Sequence, residues 1–223
     1  MMYQKSKVFV LILICISGYG PILAQETRLP DIQWKDLSPL GGLSGRYSLV
    51  EGKPNRISGL YGGAAYGEKH KVWLGIYWMN APVTEFFDDP TRPQLGYITR
   101  MEGKMRYVSL AYEYAFLMKG NWKLSAPVQL GLGRVKENYI SLADKKIYKV
   151  EKTPVIPLEF GVNAQYLFFE WLGVKAGLGT RIAIGNDLAG TYSGPFSAVG
   201  VLFYFGPLYR KLPENWQIIP KSR

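Results

Sequence analysis

The stretch NWKLSAPVQLGLGRV, residues 121–135, alternates two kinds of side chain with a period of two. The even positions are apolar: Trp122, Leu124, Ala126, Val128, Leu130 and Leu132. The odd positions between them include Lys123, Ser125, Gln129, Gly131 and Gly133. Such a period predicts a β-strand whose two faces meet different surroundings. Two arrangements fit, one with water on one face and a protein core on the other, and one with lipid on one face and a barrel lumen on the other.

The same alternation recurs along the chain and yields eight predicted strands in total. Besides the opening stretch, the strong segments are 106–117, 155–168 and 172–184, and the weaker ones are 44–50, 55–66, 71–79 and 195–206. Pro127 and Pro157 fall inside two of these segments, and we expect bulges there because proline cannot donate to a ladder.

The links between the predicted strands alternate strictly between short and long. The short ones are 67–71, 117–121 and 169–171, and the long ones are 80–105, 138–152 and 185–194. Tight turns at one end and long loops at the other are typical of bacterial outer-membrane barrels. In a soluble lipocalin or β-sandwich nothing requires short and long links to alternate. A soluble β-barrel is the alternative fold. The segment 94–105 is a candidate for a small hairpin beyond the membrane.

Aromatic residues gather beside the short links. We predict an aromatic girdle at one membrane interface made of Tyr66, Trp73, Phe116, Trp122, Phe168, Trp171 and Phe205. Amphipathic rings suit the headgroup region of a bilayer. The alternative interpretation is hydrophobic packing of hairpins in a soluble barrel.

The odd-numbered face carries glycines, amides and charges, whereas the interior of a soluble barrel is filled by apolar side chains. The sequence therefore predicts an all-β fold, a transmembrane antiparallel up-and-down β-barrel of eight strands with a polar, filled lumen. The lumen network is predicted to contain Glu113, Lys123, Gln129, Glu159, Asn163, Gln165, Lys175 and Arg181. A three-residue turn at 169–171 would place Glu159 opposite Arg181 and Gln165 opposite Lys175. These groups either plug the lumen or line an ion path.

The ends of the chain suggest export and a periplasmic location for both termini. Residues 1–24 read as a signal peptide, with Lys5 and Lys7 before a short apolar run and a cut expected after Ala24. The only cysteine, Cys15, lies in that run, so the expected mature chain has no thiol chemistry. The remaining segments are 25–43 as a periplasmic N-terminal segment, 44–206 as the barrel, and 207–223 as a periplasmic tail. The two end segments are candidates for docking a protein partner.

The charge balance points to an anionic surface. Without residues 1–24 the chain has 25 basic and 17 acidic residues, a net charge of +8. For an exported chain this favours outer-membrane lipid and lipopolysaccharide over nucleic acid as a partner. The loop lysines Lys145, Lys146, Lys149 and Lys152 are the candidate contacts for lipopolysaccharide or a protein partner, and a solvated loop is the other interpretation.

Catalytic and metal-binding chemistry finds little support, and no cofactor is expected. His70 is the only histidine and lies in a short turn, where it is expected to be solvated. Barrels that modify lipid A combine a histidine with a serine and an acid, and the residue two positions after His70 is Val72. Asp88 and Asp89 are a poor calcium signal because no further ligand spacing accompanies them.

Three segments carry a family resemblance. They are Ala24-Gln25 at the expected cleavage site, GLYGGAAYGEKHKVWLGIYW at 59–78, and SGPFSAVGVLFYFG at 193–206. With the alternating strands of 44–206, they make the chain similar to small eight-stranded outer-membrane barrels of the OmpA/OmpX-like superfamily, and to those of Bacteroidetes in particular. The resemblance implies a location and a fold. Its members include structural anchors, adhesins, small-solute channels and accessory subunits of secretion machines such as the type IX system.

We therefore expect a non-enzymatic integral outer-membrane barrel that serves as a structural or accessory subunit of an outer-membrane complex, for example one for secretion. The alternatives are a channel or carrier for small or apolar solutes and, less favoured, a lipid A-modifying enzyme.

Overall fold

The computed structural model describes residues 37–50, 53–88, 98–141, 145–185 and 190–210. The expected signal peptide 1–24, the stretch 25–36 and residues 211–223 lie outside the described residues. The described elements are β1 (Leu37–Val50), β2 (Lys53–Tyr66), β3 (His70–Met79), β4 (Val83–Asp88), β5 (Ile98–Lys119), β6 (Trp122–Ser141), β7 (Ile147–Phe169), β8 (Leu172–Ile184), β9 (Gly194–Tyr204) and the helix α1 (Phe205–Arg210). Among the described residues, no helix is long and apolar enough to cross a membrane.

Eight of the strands close into an antiparallel ring in chain order. β1 pairs with both β2 and β9, and β3 pairs with β5, so the order around the ring is β1, β2, β3, β5, β6, β7, β8, β9. All eight predicted strands are present, and the predicted up-and-down barrel is confirmed. The first strand begins at Leu37, earlier than the predicted boundary at 44.

The ninth strand, β4, pairs with β5 beyond the point where the β3–β5 ladder ends. The β3–β5 ladder ends at Trp78 and Arg106, and the β4–β5 ladder begins at Val83 and Gly103. Val83–Asp88 therefore pair antiparallel with Ile98–Gly103, and this paired segment starts earlier than the 94–105 segment singled out in the sequence. The long link predicted at 80–105 contains β4 and the first part of β5.

Three strands are much longer than the others. β5, β6 and β7 have 22, 20 and 23 residues, whereas the remaining five strands of the ring have 10 to 14. A membrane-crossing strand needs only about 9–11 residues, so these three strands form a wall on one side of the barrel. The link predicted at 138–152 is shorter than expected, because β6 continues to Ser141 and β7 begins at Ile147.

The outside of the ring is apolar on every strand. Representative outward side chains, each about half exposed or more, are Leu43, Leu60, Leu74, Leu110, Leu130, Val162, Leu178 and Val199. The inward positions of the same strands hold the buried polar groups. An apolar outer face around a polar interior is the distribution of a barrel whose outer band lies in lipid. The closed ring also leaves no unpaired backbone edge, which lipid would not tolerate. The alternation in 121–135 therefore separates lipid from lumen.

The end of the ring at which β2–β3, β5–β6 and β7–β8 are joined is called the short-turn end, and the opposite end the long-loop end. Gly67 and Gly120 lie in two of these turns with φ of 58° and 57°, a conformation that costs glycine little. The third turn contains two residues, Glu170 and Trp171, and not three. A register shift at Phe168 compensates, so the predicted pairing of Glu159 with Arg181 is confirmed.

The two mid-strand prolines interrupt a ladder without a bulge. The β6–β7 register is the same before and after both prolines, and at each proline the ladder lacks the pair of the proline itself and one adjacent pair. Pro127 and Pro157 remain paired to the strands on their other sides, opposite Glu113 and Ala183. The expectation of bulges was wrong, because the missing N–H groups are accommodated as local gaps in one seam.

Candidate functional site

The lumen contains a charged network centred on the carboxylate of Glu159. Arg181 Nε donates to Glu159 Oε1 at 2.5 Å, and Arg46 Nη1 forms an ion pair with Oε2. The hydroxyl of Tyr107 donates to Oε1 at 2.8 Å, and Arg46 Nη2 donates to Gln129 Oε1 at 2.8 Å. Both carboxylate oxygens thus accept from cations, which is how a buried charge avoids a large desolvation cost.

A second network lies closer to the short-turn end and is centred on Lys71. Its ammonium donates to Glu113 Oε1 and to Gln165 Oε1, each at 2.7 Å. Asn163 Nδ2 donates to the other carboxylate oxygen of Glu113 at 3.2 Å, and Gln165 Nε2 donates to the Tyr204 hydroxyl at 3.4 Å. These bonds tie β3, β5, β7 and β9 together across the lumen.

Lys175 is held differently from the other luminal cations. Its ammonium lies 4.2 Å from the ring centre of Tyr61 and 5.2 Å from that of Trp73, both favourable cation–π distances. The described residues give it no salt bridge. Counting both networks and Lys175, four basic groups face two carboxylates: Arg46, Lys71, Lys175 and Arg181 against Glu113 and Glu159.

Two apolar clusters fill the lumen around these charges. Toward the long-loop end the cluster is Ile57, Tyr77, Met79, Val83, Met105, Tyr107, Val135, Val155, Ala183 and Tyr192. The second cluster is interleaved with the Lys71 network, since Ala65 lies directly opposite Lys71, and consists of Leu40, Tyr61, Ala65, Trp73, Ala111, Leu202 and Tyr204. A cavity beside Arg46, Gln129 and Lys175 has a volume of about 40 Å³, room for on the order of one to three water molecules. The lumen is therefore filled.

Glycines make room for the large rings inside this barrel. A Cβ added at Gly59 would lie 2.2 Å from Tyr77 Cδ1, and one at Gly42 would lie 2.5 Å from the Tyr61 hydroxyl. Tyr77 in turn stacks on Tyr107 with ring centres 5.1 Å apart. The ring of Tyr77 also lies 4.0 Å from the Arg46 guanidinium carbon. Glycine is required at these positions because the rings occupy the space of a side chain.

No family model matches the sequence, and no curated protein matches it. Among solved structures, the chain is similar to a major outer membrane protein from Thermus thermophilus, with 12% identity over 75% of this chain and 98% of that chain, at a TM-score of 0.51. The chain has the fold of an outer-membrane β-barrel.

Two further solved structures are similar to this outer-membrane barrel. The N-terminal β-barrel domain of Pseudomonas aeruginosa OprF is 14% identical over 75% of this chain and 96% of that chain, with a TM-score of 0.49. Neisserial surface protein A is 12% identical over 76% of this chain and 97% of that chain, with a TM-score of 0.48. At these identities the likeness concerns the fold alone.

The eight residues proposed for the lumen network all belong to inward positions of the barrel. Glu113, Gln129, Glu159, Gln165 and Arg181 are buried. Asn163 and Lys175 are half-buried, and Lys123 is half-exposed near the short-turn end, opposite Gln165. The structure joins most of the set through hydrogen bonds but leaves Lys123 outside both networks.

Sequence reasoning missed three central members of the networks, Arg46, Lys71 and Tyr107. Arg46 and Lys71 lie on strands whose alternation is weak. Tyr107 lies on a strand with strong alternation, but it is an inward aromatic residue. In β1 the signal was present, since Ser44, Arg46 and Ser48 alternate with outward Leu43, Tyr47 and Leu49. The two apolar layers were also missed, because an inward tyrosine or methionine looks like a lipid-facing residue when one strand is considered alone.

The residues proposed for the aromatic girdle do not all face outward. Phe116, Trp122 and Phe168 are about half exposed on the outside near the short-turn end. Tyr66 and Trp171 lie at two of the short turns, and Trp171 stacks on Phe169 with ring centres 5.7 Å apart. Phe205 is exposed at the start of α1.

Trp73 is a correction to the girdle. Its side chain is 4% exposed and lies in the lumen beside Tyr61, with ring centres 5.5 Å apart. The neighbours Val72 and Leu74 occupy the outward positions instead. Proximity to a short turn suggested the girdle, whereas the parity of β3 decides the direction of this ring.

The four loop lysines separate into two groups. Lys145, Lys146 and Lys149 are exposed around the tip of the β6–β7 hairpin, and Lys149 pairs with Glu151 at 2.6 Å. Lys152 lies lower on the wall, on the same outward face as the lipid band. There it joins Lys104, Arg106, Arg134 and Lys136, which line one groove with it.

Two carboxylates face each other beyond the lipid band, at the upper part of the wall. Glu137 on β6 pairs with Glu151 on β7, and the Tyr139 hydroxyl lies within hydrogen-bond distance of both, at 3.3 and 3.1 Å. Burial raises the pKa of Glu137 above its ordinary value. The hydrogen bond from Lys149 lowers the pKa of Glu151. Ionisation is therefore opposed at Glu137 and favoured at Glu151.

The remaining candidates for chemistry do not assemble into a site. His70 Nδ1 lies 2.8 Å from the Tyr112 hydroxyl, and its ring is 5.3 Å from that of Tyr114. In the part of the chain that the structure describes, no three histidine, cysteine, aspartate or glutamate residues come together as metal ligands. The side chains of Asp88 and Asp89 lie outside the described residues.

Proposed function

We propose that this chain is a non-enzymatic integral outer-membrane protein that serves as a structural or accessory subunit of an outer-membrane complex. The filled lumen carries the proposal. Two ion-pair networks and two apolar layers occupy the space through which a solute would pass. A barrel that neither conducts nor catalyses contributes through its surfaces.

The proposed orientation places the short-turn end and both termini in the periplasm of a Gram-negative bacterium. Short periplasmic turns and longer outer loops are the general habit of such barrels. The tall wall of β5, β6 and β7 then projects outside the cell. On the periplasmic side, α1 packs against β1, since a Cβ at Gly206 would lie 2.5 Å from Ser38 Oγ. Protein contacts are proposed to form at this end and through the segments 25–36 and 207–223.

Single-channel recording tests the closed lumen. The full chain, purified from the outer membrane in mild detergent, is added to planar bilayers, and its insertion is verified by the heat-dependent mobility shift of folded barrels on gels. We expect no discrete conductance steps. Regular steps from the inserted protein would replace the proposal with its rival, a small-solute channel.

A pull-down from native membranes tests the role as a subunit. A tagged full chain is extracted in mild detergent, and co-purifying proteins are identified by mass spectrometry. We expect a stoichiometric partner. Removing 211–223 should release it if the tail holds it, and removing 207–223 should release it if α1 does. A clean monomer from every extraction would overturn the accessory role and leave a free-standing barrel.

A further inference from the structure

The outer face of the tall wall carries two rows of positive charge. In one row Lys104 on β5 lies opposite Lys136 on β6, which lies opposite Lys152 on β7. In the row below, Arg106 lies opposite Arg134. All five side chains are exposed and line one groove with a volume of about 430 Å³.

These charges are uncompensated within the part of the chain that the structure describes. Glu102, the acid that lines the groove, already forms an ion pair with Arg100. None of the five cations has a salt bridge among the described residues. Like charges directly opposite each other destabilise an antiparallel pair, and here two such pairs share Lys136. An anion in the groove would remove this repulsion.

The position of the groove indicates which kind of anion fits. Arg106 comes two residues before Val108, and Arg134 comes two residues after Leu132. Val108 and Leu132 are outward members of the lipid band. Trp78, another outward residue suited to a membrane interface, pairs with Arg106 from β3. The charged rows therefore begin where the apolar band ends, at the depth of lipid headgroups.

The spacing of the rows suits a headgroup with more than one phosphate. Neighbouring strands lie about 4.8 Å apart, so the row from Lys104 to Lys152 spans about 10 Å across three strands. Successive outward residues on one strand are about 7 Å apart. Phosphates placed over different parts of this grid would each contact at least two cations.

We propose that this groove binds the phosphate groups of an outer-leaflet glycolipid whose acyl chains lie along the apolar band below. The inference rests on the proposed outer-membrane location and orientation. It assigns a lipid site to four residues beyond Lys152, namely Lys104, Arg106, Arg134 and Lys136. Lys145, Lys146 and Lys149, at the tip of the hairpin, are not part of it.

The test compares two triple variants of the full chain with the same change in charge. The groove variant is Lys104→Gln with Lys136→Gln and Lys152→Gln, and the matched control is Lys145→Gln with Lys146→Gln and Lys149→Gln. Each protein is folded into phosphatidylcholine vesicles, and folding is verified by the gel mobility shift. Binding of fluorescent diphosphoryl lipid A is then measured, with its fully dephosphorylated form and inorganic pyrophosphate as further probes.

We expect the groove variant to bind diphosphoryl lipid A at least tenfold more weakly than the original chain, and the loop variant to remain within about twofold. Dephosphorylated lipid should not discriminate between the variants, and pyrophosphate should compete only at far higher concentration because it lacks acyl chains. Equal losses in the two variants, or no binding by a folded original chain, would overturn the groove while leaving the membrane location intact. Pyrophosphate binding as tight as that of the lipid would also overturn it. Failure of the original chain to fold into vesicles would instead overturn the membrane location on which the inference rests.

Discussion

Glu159 on β7 and Arg181 on β8 face each other across the ladder and form a buried ion pair of 2.5 Å inside the barrel. The same carboxylate also binds Arg46 from β1, on the other side of the lumen. One acid thus connects three strands of the ring, and its removal would leave two buried guanidinium groups without their partner.

Glu159→Gln should therefore destabilise the folded barrel by about 3–5 kcal/mol, the usual cost of breaking a buried pair from one side. The glutamine keeps the shape of the side chain but not its charge. Urea titration in lipid vesicles, followed by the gel mobility shift, measures the change. Glu102→Gln is the matched control, because its ion pair with Arg100 is partly exposed and should contribute less than about 1 kcal/mol. Equal effects of the two substitutions would contradict the central role of Glu159.

Lys71 and Lys175, two lysines of the lumen, should respond differently to the same substitution. Lys71→Met leaves the buried Glu113 carboxylate without its ion pair and should cost about 3–5 kcal/mol of unfolding free energy. Lys175→Met removes a cation held by aromatic rings and leaves no acid without a hydrogen-bonded partner. Its cost should not exceed about 2 kcal/mol, the strength of a desolvated cation–π contact. A larger loss of stability for Lys175→Met in the same titration would show that Lys175 also compensates a buried carboxylate.

The fit of Tyr77 over Gly59 predicts a third contrast. Gly59→Ala places a methyl group where the Tyr77 ring lies and should destabilise the barrel by about 1–3 kcal/mol. Gly62→Ala on the same strand is the control, since its nearest atom would be 3.8 Å away, the Leu40 carbonyl oxygen. Ring-current shifts of the Tyr77–Tyr107 pair in NMR spectra should change only in the Gly59 variant. Unchanged shifts and stability there would mean that the ring does not rest on Gly59.

The upper wall should lose stability as the pH rises. The raised pKa of Glu137 means that the folded state holds a proton above pH 4.5 that the unfolded chain has released, so stability falls as the pH rises through the window from 4.5 to the raised pKa. Glu151, whose pKa is lowered, contributes in the opposite sense and loses its contribution as the pH falls below 4.5. Hydrogen exchange in the β6–β7 hairpin, corrected for the intrinsic pH effect, measures both.

Glu137→Gln separates the two groups. The variant should show no loss of protection as the pH rises above 4.5 and should keep the loss at lower pH that Glu151 causes. A variant whose pH profile matches that of the original chain would exclude Glu137 as the group responsible.

The barrel fold was predictable from the sequence because alternation is a property of single strands. The parity of 121–135, 155–168 and 172–184 was enough to assign the lipid face. The pairing of Glu159 with Arg181 also needed an assumed three-residue turn, and it is correct because the register shift at Phe168 compensates for the shorter turn. The networks themselves depend on contacts across the lumen, which no local pattern encodes. Arg46 reaches Glu159 from a strand 113 positions away in the sequence. Trp73 was misplaced for a different reason, because its nearness to a short turn was given more weight than the parity of β3.

The upper wall was the least predictable part. Residues 134–141 and 147–154 form strands, but Arg134, Lys136 and Lys152 interrupt the outward apolar row, so the segment resembles a solvated loop. The basic groove could have been found by extending the even parity of the lipid face upward from Val108 and Leu132. That step required the register between β5 and β6, which places Lys104 opposite Lys136.

A membrane-spanning barrel requires a bilayer around its outward apolar band. Since Cys15 lies within the expected signal peptide, single cysteines can be placed at Leu130, in the middle of the band, and at Lys145, in the outer loop, and each labelled with bimane. Quenching by lipids brominated along their acyl chains is then recorded for the folded protein in vesicles. We predict strong quenching at Leu130→Cys and almost none at Lys145→Cys. Weak quenching at Leu130→Cys, or equal quenching at the two sites, would contradict a membrane-spanning barrel.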